Sequence, residues 1–161
     1  MIPFRLNTVH IVTSFISMGI FLTSLLSQFF FDKIPCQLCL ISRYLFLLIS
    51  FVALFSINFK RLKPLLLLLT FSALLFSFYH LGVENHWWIG PQSCVSKLPT
   101  LDSLSDNNDQ SMVIPYCDRA NWKIFGISST LWSFLVFAFL FWSVSLLYVI
   151  DYYLKKLENG N

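Results

Sequence analysis

The sequence predicts an all-α membrane protein, a bundle of four transmembrane helices, and three observations carry that expectation. Of the 161 residues 57% are hydrophobic and only 12% are charged, against about 25% charged in a soluble domain. Four apolar runs are each long enough to cross a bilayer core, which takes about 20 residues of helix. Eighteen phenylalanines suit lipid-facing helices better than a compact soluble core, and a chain of this length forms one integral membrane domain, 1–161. The net charge of +3 is too small to point to nucleic acid. Where the charges fall is more informative.

The first run, Val9–Phe31, exceeds the roughly 7–15 residues of a secretory h-region, and no small-x-small cleavage site follows, so it reads as a retained span. The second is Leu40–Phe59. The third, Leu65–Leu81, is entered through Pro64, and the first turn of a helix tolerates a residue without an N–H. The fourth is Ser129–Ile150. A short loop, 32–39, follows the first span and a long one, 82–128, follows the third. The long loop opens on Trp87-Trp88 and the turn signal Gly90-Pro91. Its middle, 100–109, is polar, while Leu98, Leu101, Leu104, Met112, Val113 and Ile114 suit contact with the membrane surface.

Lysine and arginine mark the cytoplasmic face of a membrane protein. With both termini on one side, that side carries Arg5, the cluster Lys60, Arg61 and Lys63, and Lys155-Lys156. The other side carries Lys33, Lys97, Arg119 and Lys123 against Asp32, Glu84, Asp102, Asp106, Asp109 and Asp118. The expected topology therefore puts both termini in the cytoplasm and both loops, with all four cysteines, outside.

The cysteines form two pairs of different design. Pro35-Cys36-Gln37-Leu38-Cys39 is a C-x-x-C motif, the usual spacing of redox-active thiols. Cys94 and Cys117 bracket the polar part of the long loop. Disulfides persist on the outer side of a bacterial-type membrane, but a bridge across so small a loop as Cys36–Cys39 adds little stability, so a purely structural role fits poorly. A four-cysteine zinc site lacks its second C-x-x-C, and Leu40 stands where a c-type haem motif needs histidine. Arg43 follows Cys39 by four residues, on the same helical face. The sequence places Cys39 near the start of a helix, where the dipole favours a thiolate, and Arg43 either supports that thiolate and an anionic reduced acceptor or snorkels to headgroups. Glycine is scarce and G-x-G-x-x-G is absent, so a lipid-soluble acceptor such as a quinone is the economical exit for electrons.

The run Pro35-Cys36-Gln37-Leu38-Cys39-Leu40-Ile41-Ser42-Arg43 resembles the P-C-x-x-C-x-x-x-R signature of the disulfide bond formation protein B (DsbB) family. The stretch 82–94, ending at Cys94, resembles that family's exit from the third helix and its first loop cysteine. Cys117, Trp122, Phe125-Gly126 and Trp132 resemble its second loop cysteine and the entry to the fourth helix. The resemblance implies a quinone-dependent thiol oxidoreductase of the bacterial inner membrane, with disulfides Cys36–Cys39 and Cys94–Cys117. Cys94 would form a mixed disulfide with a DsbA-like periplasmic thioredoxin-fold partner, and Cys117 would then engage Cys36. Cys39 would be freed toward ubiquinone or menaquinone, held by Arg43. Two positions depart from the pattern. Ser42 stands where the family often has Gln or Glu, and Asn85 follows Glu84 where the family has a quinone-side histidine, with His86 one residue later. His86 is carried as a candidate quinone contact on that basis. No metal is expected.

Two other readings remain. A vitamin K epoxide reductase-like protein shares the four-helix outline and C-x-x-C, although there the motif normally comes late in the chain. A non-enzymatic tetraspanning scaffold with structural disulfides would need neither Cys36 nor Cys39. Trp87, Trp88 and Trp132 read as interfacial anchors, and Gln28, inside the first run, as a polar helix–helix contact.

Overall fold

The computed structural model describes residues 2–31, 35–59, 61–91, 117, 123–124 and 126–159. Four helices make up nearly all of it: α1 (Ile2–Phe31), α2 (Gln37–Ser56), α3 (Leu62–Glu84) and α4 (Ser129–Asn159). All four are long and apolar enough to cross a membrane. Several run beyond the apolar stretches that predict them, because the polar flanks Lys155-Lys156 and Glu84 continue the helical hydrogen bonding past the last apolar turn. α2 begins at Gln37, capped by Cys36, and Pro64 occupies the first turn of α3, where its missing N–H costs nothing. A two-strand antiparallel hairpin, β1 (Lys123–Ile124) with β2 (Ile127–Ser128), leads into α4. It turns at Gly126, whose φ of 80° a side chain would disfavour. The Ser128 hydroxyl then accepts a hydrogen bond from the Leu131 N–H and caps α4.

α1 packs on α2, α2 on α3, α3 on α4, and α4 returns to α1, so the bundle is closed. Its packing logic is that of a protein in lipid. Lipid tails are as apolar as leucine, so helices gain little from burying leucine and associate through small and polar residues. On α1 the buried positions are His10, Thr13, Ser14 and Ser17, while Phe15, Leu22, Leu26, Phe29 and Phe30 face outward. On α2 the buried stripe is Ser42, Arg43, Phe46, Ile49, Ser50, Ala53 and Ser56, and on α3 it includes Leu66, Thr70, Ala73, Ser77 and His80. Ser14 and Ser50 join α1 to α2 through hydroxyls 3.0 Å apart, and the Ser50 hydroxyl donates to the Ser14 carbonyl at 3.1 Å. Phe46 stacks on Phe137 of α4, centroids 4.1 Å apart and planes within 9°, at the centre of an apolar core with Ile49, Leu66, Leu140 and Val144.

One contact braces the far end of α3. The Trp88 indole N–H donates to the Tyr79 carbonyl at 2.9 Å and its ring stacks on Tyr79, lying directly across Gly82, where a Cβ would collide with the indole. Gly82→Ala is therefore expected to lower the thermal midpoint of the detergent-purified protein, by the equivalent of about 1–3 kcal/mol of overpacking, and to shift tryptophan emission. An unchanged melt would show that Trp88 moves aside freely.

Candidate active site

Site geometry begins with the start of α2. Cys36 has extended backbone angles, φ −68° and ψ 165°, and its Sγ accepts a hydrogen bond from the Cys39 N–H at 3.4 Å. Cys36, rather than Cys39, is thus the residue at the helix N-terminus. This corrects the sequence expectation that the dipole acts on Cys39: an N-cap side chain reaches the N–H three residues on, and Cys39 is that third residue. Both cysteines are free thiols with Sγ atoms 2.9 Å apart. The contact can be donated from either sulfur, but the Cys39 N–H aimed at Cys36 favours negative charge there and leaves Cys39 as donor. That thiol hydrogen bond holds the Cys36 thiol far below its ordinary range, to about 5. Burial opposes the shift, and a hydrogen bond with His80 adds to it.

His80 is the residue that the sequence did not reveal. It lies buried on α3, with Nε2 3.8 Å from Cys36 Sγ and 4.0 Å from Cys39 Sγ. No local pattern joins a histidine in an apolar run to a motif more than forty residues earlier. The three donor atoms fall within 4.8 Å of one another, the composition of a soft-metal site. Two thiolates sharing a tetrahedral zinc, however, would sit about 3.7 Å apart given metal–sulfur bonds of about 2.3 Å. At 2.9 Å the sulfurs are spaced for bonding to each other.

Arg43 is buried, which removes the snorkelling alternative. Its guanidinium donates from Nε to the Ser24 hydroxyl (3.0 Å), from one terminal nitrogen to Gln28 Oε1 (2.8 Å) and from the other to the Ser24 carbonyl (3.0 Å). Gln28 is the interhelical polar contact expected of it. Ser42 donates to the Leu38 carbonyl at 3.1 Å, within its own helix.

Cys39, Ser42, Arg43 and His80 line a cavity of about 330 Å³ between the helices, closed by Ser24 and Gln28 of α1 and by Thr130 and Trp132 of α4. Trp132 is a cavity wall as well as an interfacial aromatic. His86 is elsewhere: it is exposed, just past the end of α3, with φ 58°, and the cavity histidine is His80. The reason is helical phase, since His80 falls on the buried face of α3 with Ser77 and His86 follows the helix end.

Cys117 is disulfide-bonded and almost wholly buried, in one cluster with Cys36, Leu38 and Val83, against which Cys39, Phe76 and Trp88 pack. The loop cysteine and the C-x-x-C pair, distant in sequence, thus share one packed core. Cys94 lies outside the described residues, as do Trp122, Phe125 and the polar middle of the long loop.

A family model described as disulfide bond formation protein DsbB matches residues 7–147. A curated relative, the uncharacterized protein RP370 of Rickettsia prowazekii (strain Madrid E), is 27% identical over 139 residues, covering 81% of this chain and 79% of its own length. No solved structure matches.

The Cys36 environment makes a pH prediction. In the reduced protein, the difference in thiolate absorbance between wild type and Cys36→Ala should persist on acidification to a midpoint near 5. Cys39→Ala, which removes the donor thiol, should move that midpoint up toward the ordinary thiol value of about 8.5. A midpoint unaffected by Cys39 would assign the stabilisation to the helix terminus alone.

Proposed function

Since the chain belongs to the disulfide bond formation protein DsbB family, we propose that it is a quinone-dependent thiol oxidoreductase of the bacterial inner membrane, reoxidising a DsbA-like periplasmic thioredoxin-fold protein to sustain disulfide bond formation. The observation that carries this reading is an ordered line of contacts. Cys117 packs with Cys36, Cys36 touches Cys39, and Cys39 opens on a cavity inside the bundle.

The cycle begins with Cys94–Cys117 and Cys36–Cys39 both oxidised. A partner thiolate attacks Cys94, and the broken bond leaves its electron pair on Cys117. Cys117 attacks Cys36, whose bond to Cys39 breaks, leaving Cys39 as a thiolate beside the cavity. The partner's second thiol releases Cys94 and departs as a disulfide; Cys94 then recaptures Cys117 and frees Cys36. The Cys36/Cys39 dithiol now re-forms its disulfide, giving two electrons and two protons to the quinone, which leaves as quinol. Each sulfur needs to reach only its neighbours, which suits a buried site with little room to move.

Arg43 supports the acceptor end of this line. A guanidinium carries five N–H donors, and three bonds to α1 orient it rigidly, leaving others for a quinone oxygen as negative charge develops there. The charge placement in the sequence favours both termini in the cytoplasm and the cysteines on the periplasmic side. Ubiquinone and menaquinone fit this reading equally.

Three variants test it, with the absorbance of added quinone as the readout after supplying a reduced DsbA-like partner. Cys39→Ser should abolish quinone reduction while leaving Cys94 able to capture the partner; full activity in this variant would sink the mechanism. Arg43→Ala should raise the apparent KM for quinone about tenfold, a loss of about 1.4 kcal/mol, with partner affinity unchanged. Cys117→Ser should accumulate a partner adduct on Cys94, visible on a non-reducing gel, and absence of the adduct would overturn the assigned roles of the loop pair.

A further inference from the structure

We propose that His80 is a catalytic proton acceptor for the C-x-x-C pair, its Nε2 taking the Cys39 thiol proton as the Cys36–Cys39 bond forms. The inference rests on the quinone-linked reading above and adds a residue that its family motif does not contain.

Proton accounting creates the need. Converting two thiols to a disulfide forms one S–S bond and breaks two S–H bonds. The electron pair passes to the quinone, and two protons must leave a buried site. Cys36, 1% exposed, has little access to solvent, but its charge is already supported by the helix terminus and by Cys39. Cys39 has no such help. Its neighbour on α2, Arg43, is committed to Ser24 and Gln28 of α1. Once Cys36 is bonded to another sulfur, Cys39 also loses the thiolate to which it donated.

His80 is the group placed to act. Its ring nitrogen reaches both sulfurs, at 3.8 and 4.0 Å, a loose contact of the kind that tightens when reactants are bound. His80 and Cys39 line the same cavity, so a proton taken from Cys39 is delivered where the quinone is reduced. With its own proton on Nδ1, the neutral ring presents a lone pair at Nε2, and as imidazolium it returns the proton to the reduced acceptor. The charged and titratable groups around it are Cys36 and Cys39 at the start of α2, Arg43 on the cavity wall, and Glu84, one turn later on α3, which also acts on the Cys39 sulfur. The cavity-lining residues of α1 and α4 add none, only Ser, Thr, Gln and apolar or aromatic side chains. Arg43 opposes a second positive charge and Glu84 favours it, so the ring can both gain and lose a proton near neutrality. Its pKa as a free side chain is about 6.5.

The test is single-turnover quinone reduction by the prereduced full-length protein in lipid nanodiscs, comparing wild type, His80→Ala and His80→Gln across the histidine titration range. Losing a general base should slow both variants about 100-fold near neutrality. It should also abolish the rising limb that follows histidine deprotonation, leaving a rate that climbs only with hydroxide. Added imidazole should restore part of the His80→Ala rate, because the vacated space adjoins the cavity. A structural role would move none of the pH profile and would not respond to imidazole. Should His80→Ala fail to fold, the pH profile of His80→Gln decides. Variant rates and profiles matching wild type would overturn the proposal while leaving the oxidoreductase reading intact. A wild-type protein that reduces no quinone would overturn that reading and this one with it.

Discussion

The structure depends on satisfying one guanidinium inside a membrane helix. An arginine within a span is costly unless it faces the bundle interior and finds partners. Arg43 does both, donating to the hydroxyl and carbonyl of Ser24 and to Gln28. Those bonds fix the rotation of α1 against α2, and that rotation leaves a gap between the helices. The same helical face carries Cys39, one turn earlier, so the demand that positions the arginine also aims a sulfur into the gap.

Around this clamp the bundle reverses the layering of a soluble protein. Serine, threonine and histidine occupy the interior of α1, and phenylalanine and leucine its exterior, because in lipid the interior is where polar groups must be paired. The Ser14–Ser50 bonds hold the half of the α1–α2 seam away from the cavity, and the Phe46–Phe137 stack fills the centre. The site sits above that filled centre, where the walls become serine, threonine and tryptophan. A rigid lower half and a polar upper half let a hydrophobic acceptor approach the sulfurs while the thiol chemistry is kept from bulk water.

The cysteines divide the labour by environment. Cys36 caps α2 and is buried beside Cys117; Cys39 faces the cavity. Two identical side chains three residues apart thus acquire different tasks, one set for exchange with the loop cysteine and one for the acceptor. The polarisation of the pair is opposite to what the motif suggests, since the helix terminus favours charge on Cys36. Cys39 gains negative charge only when Cys36 is engaged, which makes the order of steps a property of the helix start.

Much of this was legible in the sequence. Hydropathy, measured over twenty residues at a time, determined four spanning helices, and C-x-x-C with Arg43 determined thiol chemistry on one face of α2, because both are local patterns governed by helical period. Gln28 was legible as a polar group that lipid could not accommodate. What only the tertiary structure decided is everything that joins one helix to another. His80 meets the sulfurs through the packing of α3 on α2, Cys117 reaches Cys36 by the folding of a long loop, and His86 is left out by the end of a helix. Such contacts depend on the rotation of each helix about its axis, which is set by pairing of buried polar groups between segments and therefore leaves no signature within any one of them.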